Sequence, residues 1–173
     1  EAVMDCSQSR DTGLPVPTTS IGTDPKRFEG LSKKFIDYYS KSWFAEEKLA
    51  GGPPVSPRAG YQAPPLDGVW ATAPFLHNGS VPNLYLLLSP QQERDAAAKT
   101  FYVGSREFDP VDVGYKYRAD EINTTGLFEF DTTISGNRNT GHLFTNVKDA
   151  LGRIDPEFTP AERRALIEFL KSL

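Results

Sequence analysis

The chain has 173 residues, of which 38% are hydrophobic and 12% aromatic, and its formal net charge is -4. That length matches one domain, residues 1–173, large enough to bury about 70% of the unfolded chain's surface in a single core. The mild acidity leaves no surplus of positive charge to grip a phosphate backbone, which argues against nucleic acid as a partner. No apolar run approaches the roughly 18 residues of a membrane helix, so no membrane span is expected. The opening Glu-Ala-Val-Met-Asp-Cys carries no apolar leader, so any targeting peptide is expected to have been removed already or never to have been part of this chain. A single cysteine, Cys6, excludes an intramolecular disulfide framework and a cysteine-rich zinc module. Fourteen glycines and fourteen prolines predict many turns and short elements.

Residues 1–23 lack periodicity and read as loop, the first 20 as an extended N-terminal segment. Asp24 then offers an N-cap and Pro25 a first helical residue, predicting a helix over about 25–40 with Phe28, Leu31, Phe35 and Tyr38 or Tyr39 at helical spacing. Lys26, Arg27, Lys33 and Lys34 fall away from that stripe and read as a solvated face rather than a docking patch. A second helical piece from Trp43 to Leu49 stops at Gly51-Gly52-Pro53-Pro54. After a loop over 51–65, one helical turn is expected at Leu66–Trp70, and short helices at Val81–Leu88 and Gln91–Lys99. Thr100–Val103 has strand composition, and Val111–Tyr115 is expected to return as its hairpin partner, with Leu127–Asp131 as a third strand candidate. Residues 135–144 form a turn-rich loop that delivers His142. The closing helix is the clearest element: Thr159 and Glu162 form a capping box, Pro160 sits at the first position, and Leu166, Ile167, Leu170 and Leu173 line one face.

The stretch from 60 to 88 stands apart. Pro74 and Pro82 each fix φ and remove a donor, while Gly68 and Gly79 allow turns that side chains would block. Trp70, Phe75 and His77 are thus presented from a stiff, irregular frame suited to a flat ligand. The string APPLDGVWATAPFLHNGSVPNLYLLL at 63–88, TFYVGSREFDPVDVGY at 100–115 and NTGHLF at 139–144 occur in that order. Together they resemble the C-terminal haem domain of the bacterial di-haem cytochrome c peroxidase superfamily, and within it the rubber oxygenase branch of c-type cytochromes, over roughly residues 20–173. The resemblance implies a mostly α, loop-rich cytochrome-c-like domain with a small antiparallel β-hairpin, a haem c cofactor, and an exported or periplasmic setting. It also implies a partner, either a redox protein or a larger complex.

The residues depart from that pattern in one central place. A c-type haem is attached through Cys-x-x-Cys-His, two thioethers and a proximal imidazole. Cys6-Ser7-Gln8-Ser9-Arg10 keeps the first cysteine, but Ser9 forms no thioether and the protonated guanidinium of Arg10 has no lone pair for iron. Cys6 is therefore either the remnant of a degenerate attachment site or an incidental thiol, and the cofactor is either retained in altered form or absent.

His142 is placed like the family's distal axial ligand and is the candidate metal-binding residue; the alternative is a histidine that pins its loop through backbone carbonyls. His77 resembles the family histidine near the haem edge, or equally anchors its own loop. Trp70, Phe75, Tyr85, Phe101 and Tyr102 would wall a haem pocket, or form plain core. Arg58, Arg106, Arg118 and Arg138 could pair with propionates or make ordinary surface ion pairs. Ser80 lies in no nucleophile elbow and no phosphate loop is present, so no catalytic residue is assigned. Two functions follow: a domain that has lost covalent haem and acts as a structural or partner-binding subunit, or a haem-binding electron-transfer or peroxidase/oxygenase-type domain with His142 as axial ligand. Whether it is an enzyme stays open; if so, it is a haem-dependent, peroxidase-like oxidoreductase.

Overall fold

The computed structural model describes residues 16–17, 21–30, 33–39, 41–43, 60–61, 64–146 and 156–173. Cys6 and Arg58, and the helix expected over Trp43–Leu49 beyond Trp43, lie outside the described residues.

Strand β1 (Val16–Pro17) pairs antiparallel with β2 (Gly60–Tyr61), Val16 opposite Tyr61. Helix α1 (Lys26–Gly30) starts where Asp24 Oδ1 accepts from the Lys26 N–H at 2.9 Å, the cap the sequence predicts. Where one helix is expected over 25–40, α1 is followed by a separate α2 (Lys33–Tyr39). A 3₁₀ turn at Val69–Ala71 precedes the central loop. Helix α3 (Leu84–Leu87) is shorter than its apolar run, because Asn83 caps it by accepting from the Leu86 N–H at 2.8 Å, while Val81 bridges back to Phe75. Helix α4 spans Gln91–Ala98. Then come β3 (Thr100–Val103), β4 (Phe108–Asp109), β5 (Gly114–Tyr115), β6 (Phe128–Asp131) and helix α5 (Pro160–Leu170).

Two expectations are corrected here. The fold is not mostly α: the named helices take up under a third of the described residues, and the strands form three two-stranded antiparallel sheets. Every described helical segment before α5 is only one or two turns long, so irregular backbone and paired strands carry much of the described chain. Nor is the hairpin the expected one. β3 pairs with β6, with Phe101 opposite Phe130, because both put an aromatic on the inner face and the rings stack at 5.2 Å. The Val111–Tyr115 stretch turns on itself instead: Asp109 Oδ1 accepts from the Val111 N–H at 2.8 Å, and β5 pairs with β4.

Phe75, Val81, Leu84, Leu86, Leu88, Ala98, Phe101, Val113, Ile167 and Leu170 form the buried cluster. Helix α5 has the predicted capping box, Thr159 Oγ1 accepting from the Glu162 N–H at 3.3 Å and Glu162 returning to the Thr159 N–H at 2.8 Å. Its buried face is Arg163, Ile167 and Leu170, whereas Leu173 lies past the helix end and is exposed. Arg163 reaches Ser89 Oγ at 2.7 Å and makes a forked ion pair with Glu93, tying α5 to α4.

Candidate functional site

Three segments meet where the two histidines lie: residues 21–28, the loop 74–80, and the loop 134–142. The first loop closes on itself. Phe75 N–H donates to Val81 O at 2.7 Å and Gly79 N–H to Leu76 O at 3.2 Å, and Leu76 takes a positive φ of 64°, unusual for a residue with a side chain. His77 follows this strained residue. Its ring stacks on Tyr61 at 5.3 Å, Tyr61 meets Phe28 edge-on at 5.0 Å, and Arg27 Nη1 donates to the His77 carbonyl at 3.4 Å. His77 Nδ1, Tyr61 OH and Thr23 Oγ1 are buried with no hydrogen-bond partner among the described residues. Burial, and then the nearby Arg27 charge, hold the His77 imidazole below its ordinary pKa against a smaller opposing effect of Asp24.

The second loop is held from two sides. On one side Asp24, only 1% exposed, accepts through Oδ2 from the N–H groups of Gly136 at 2.8 Å and Arg138 at 3.3 Å. Burial alone would push this carboxyl up, but the N–H groups of Lys26, Gly136 and Arg138, with the Arg138 charge, outweigh it and the net shift is downward. Asn78 Nδ2 adds bonds to the carbonyls of Gly136 and Arg138, both at 3.0 Å, and Ser80 Oγ donates to Arg138 O at 3.1 Å. The two histidine loops are thereby stitched together.

On the other side is Arg94, also 1% exposed. Nη1 donates to the carbonyls of Asn139 at 3.2 Å and Gly141 at 2.7 Å, and Nη2 to that of His142 at 3.0 Å. Nε donates to Leu86 O at 2.8 Å and Nη2 also to Leu87 O. Burial pulls the Arg94 guanidinium down to about 10, still a cation at neutral pH. The loop ends on two consecutive positive-φ residues, Gly141 at 96° and His142 at 50°. A Cβ on Gly141 would lie 2.7 Å from the Thr23 nitrogen, so only glycine lets the backbone pass. The His142 N–H donates to Ile21 O at 3.1 Å, and its side chain is exposed.

The predicted site residues therefore separate. The loops of His77 and His142 are brought together on residues 21–28. Phe75 is in the core at 7% exposure, whereas Trp70 is 42% exposed on the 3₁₀ turn. Phe101 is core, and Tyr102 bonds Glu129 at the surface. Arg118 is engaged with Asp120 and Glu121. A hollow of about 300 Å³ lies between Gly104–Glu107 and Ile122–Leu127, and one of about 30 Å³ beneath Pro74, Pro82 and Phe101; neither is lined by a histidine. No group of three or more metal-binding side chains occurs among the described residues. Sequence reasoning placed Asp24 only as a helix cap and overlooked Asn78 and Arg94. Arg94 sits in the polar string Gln-Gln-Glu-Arg-Asp, which carries no local signal of burial.

Tested against haem, these residues fit in part. One cysteine and two histidines in the whole chain cannot supply two thioethers and a proximal imidazole in the usual attachment motif. They do fit one axial ligand: His142 presents an exposed imidazole from a backbone fixed at both its N–H and its carbonyl.

Residues 60–98 match the family described as RoxA-like, cytochrome c-like. Two relatives come from Sinorhizobium fredii (strain NBRC 101917 / NGR234), both bearing the name uncharacterized protein. The one called y4iJ is 51% identical over 113 residues, covering 65% of this chain and 18% of the relative. The one called y4iM is 35% identical over 157 residues, covering 79% of this chain and 34% of the relative. The chain thus spans less than half of the length of either.

Proposed function

We propose, starting from the match of residues 60–98 to the RoxA-like, cytochrome c-like family, that this chain has lost covalent haem attachment and serves as a structural or partner-binding subunit of an exported or periplasmic redox assembly. The observation that carries this reading is the double hold on the 134–142 loop. Asp24 and Arg94 satisfy its N–H and carbonyl groups with side chains of the chain itself, so the loop geometry is specified without a thioether-linked ring. Ser9 and Arg10, standing where the second thiol and the proximal imidazole would be, support the same reading. The partner would be a redox protein or the remainder of a larger complex, since the relatives extend well beyond the matched region. The test is the visible spectrum of purified protein. A folded protein with no Soret band is expected, and a Soret band that survives acid acetone extraction would overturn the reading.

A second reading is favoured by one observation, the exposed His142 side chain on a strained, fixed backbone. His142 would then be one axial ligand to a haem held mainly by a partner chain, and such a haem would supply electron transfer or peroxide and oxygen chemistry. In this reading the loop orients the His142 imidazole, whose ring nitrogen would offer the lone pair. Added haemin should give a low-spin spectrum in the native chain and lose it in His142→Gln; identical spectra would sink the idea. Restoring Ser9→Cys and Arg10→His in a cytochrome-maturing host tests the alignment of the motif, and haem uptake is expected if it is right.

A further inference from the structure

We propose that Arg94 is the positioning residue for the His142 imidazole, acting through the backbone and binding nothing itself. A guanidinium has five N–H donors. All five of the hydrogen bonds it makes here end on main-chain carbonyls, those of Leu86 and Leu87 at the end of α3 and those of Asn139, Gly141 and His142 in the loop. A set of five donors filled by five neutral acceptors leaves none for an anion, so this buried cation is no carboxylate or phosphate site. The other arginine buried among the described residues shows the contrast, since Arg163 spends its fork on the Glu93 carboxylate.

What Arg94 does is mechanical. It bolts the loop that carries His142 to the helix whose residues Leu84 and Leu86 lie in the core. The loop needs such a bolt, because His142 is a side-chain-bearing residue at φ 50°, a conformation that is disfavoured and survives only when its surroundings over-determine it. With the His142 N–H on Ile21 and its carbonyl on Arg94, the direction of the Cα–Cβ bond is fixed. Lysine cannot replace this function: three donors on a flexible stem do not span five carbonyls on two segments.

The inference rests on the second functional reading only for what the ring is used for. The test therefore reads the ring directly. Two histidines give two imidazole Cε1–H cross-peaks in the carbon–proton NMR spectrum of the labelled 173-residue chain, and His142→Gln assigns them. In Arg94→Lys the His142 peak should shift and broaden while the His77 peak stays in place. Arg163→Lys, which removes the other buried fork, should destabilise the protein and leave the His142 peak unmoved. An unmoved His142 peak in folded Arg94→Lys, or equal displacement by both variants, would overturn the proposal.

Should Arg94→Lys fail to fold, hydrogen exchange on the native chain decides: the His142 amide should be protected to the level of the Leu88 amide in the core. Exchange faster by about a hundredfold or more would show that the loop opens independently, and would overturn the proposal as well. Haemin titration is read separately. Binding weakened about tenfold in Arg94→Lys, the equivalent of one or two lost hydrogen bonds, is expected if the native chain binds through His142. No binding by the native chain removes that second reading and leaves the NMR result standing by itself.

Discussion

The two histidine loops solve opposite problems with the same backbone device. Each places a side-chain-bearing residue at positive φ, Leu76 in one and His142 in the other. In the first loop the strained residue precedes the histidine, whose ring is half-buried, stacked on Tyr61 and left with an Nδ1 that has no hydrogen-bond partner among the described residues. In the second the strained residue is the histidine itself, whose backbone is held and whose ring is exposed. The difference teaches what each loop holds fixed: the first packs its ring against an aromatic, whereas the second fixes the backbone of an exposed residue through its N–H and its carbonyl.

The largest effect expected from breaking this comparison is at the glycines that precede and follow the two imidazoles. Gly141→Ala puts a Cβ 2.7 Å from the Thr23 backbone nitrogen at φ 96°, and neither backbone can yield cheaply. It should lower stability by about 3 kcal/mol or more in urea unfolding. Gly79→Ala, at φ 71°, meets only the Pro74 ring at 3.3 Å and should cost about 1 to 2 kcal/mol. Equal losses would mean that the second loop is not pinned against residues 21–24 as described.

Next in size is Asp24→Asn. The amide keeps the shape but replaces a charged acceptor of two loop N–H groups with a neutral one, which should cost about 1 to 3 kcal/mol. The native carboxyl has a folded pKa below its unfolded value of 3.8, so its contribution is full above pH 3.8 and is lost as pH falls through the lower folded value. The variant should accordingly show a flatter decline of stability in the acid limb below pH 3.8. An unchanged limb would place the acid sensitivity elsewhere.

How much of this was legible in the sequence depends on range. Local chemistry was: Asp24-Pro25 and Thr159-Pro160 with Glu162 set helix starts where they were expected. The pairing of Thr100–Val103 with Phe128–Asp131 was not, because a hairpin rule favours the nearest strand-like run, while the Phe101 and Phe130 rings favour the distant one. The same limit hid the clamp. Asp24 and Arg94 act on residues 112 and 47 positions away, and a buried arginine satisfied by carbonyls looks, in one dimension, like any solvated helix residue. The histidines themselves were found because only two exist and their flanking glycines and prolines marked unusual backbone.

His142 itself gives a smaller and more pointed test. If its backbone is strained for the sake of the ring, His142→Gly should leave stability unchanged or raise it by up to about 1 kcal/mol, since glycine adopts φ 50° without penalty. A loss of more than that would mean that the ring holds the loop, making His142 an anchor and not a presented ligand. His142→Ala separates backbone from side chain, because it retains the Cβ penalty while deleting the ring.

The smallest expected effect is at His77, and its sign is opposite to the usual histidine partnership. Burial, then Arg27, depress its pKa below 6.5 in the folded chain, so the unfolded chain binds more protons in that range. The neutral ring's contribution is therefore complete above pH 6.5 and is lost as pH falls through the folded value. His77→Phe keeps a flat ring against Tyr61 and removes the buried Nδ1 that finds no partner among the described residues. Its stability should match the native protein at pH 8 to within about 1 kcal/mol, and it should no longer decline between pH 6.5 and the acid limb set by Asp24. If His77→Phe instead loses stability at pH 8 while His142→Gly does not, Nδ1 has a partner in solution, and the imidazole of the first loop, held by that partner, is the one that the rest of the assembly reads.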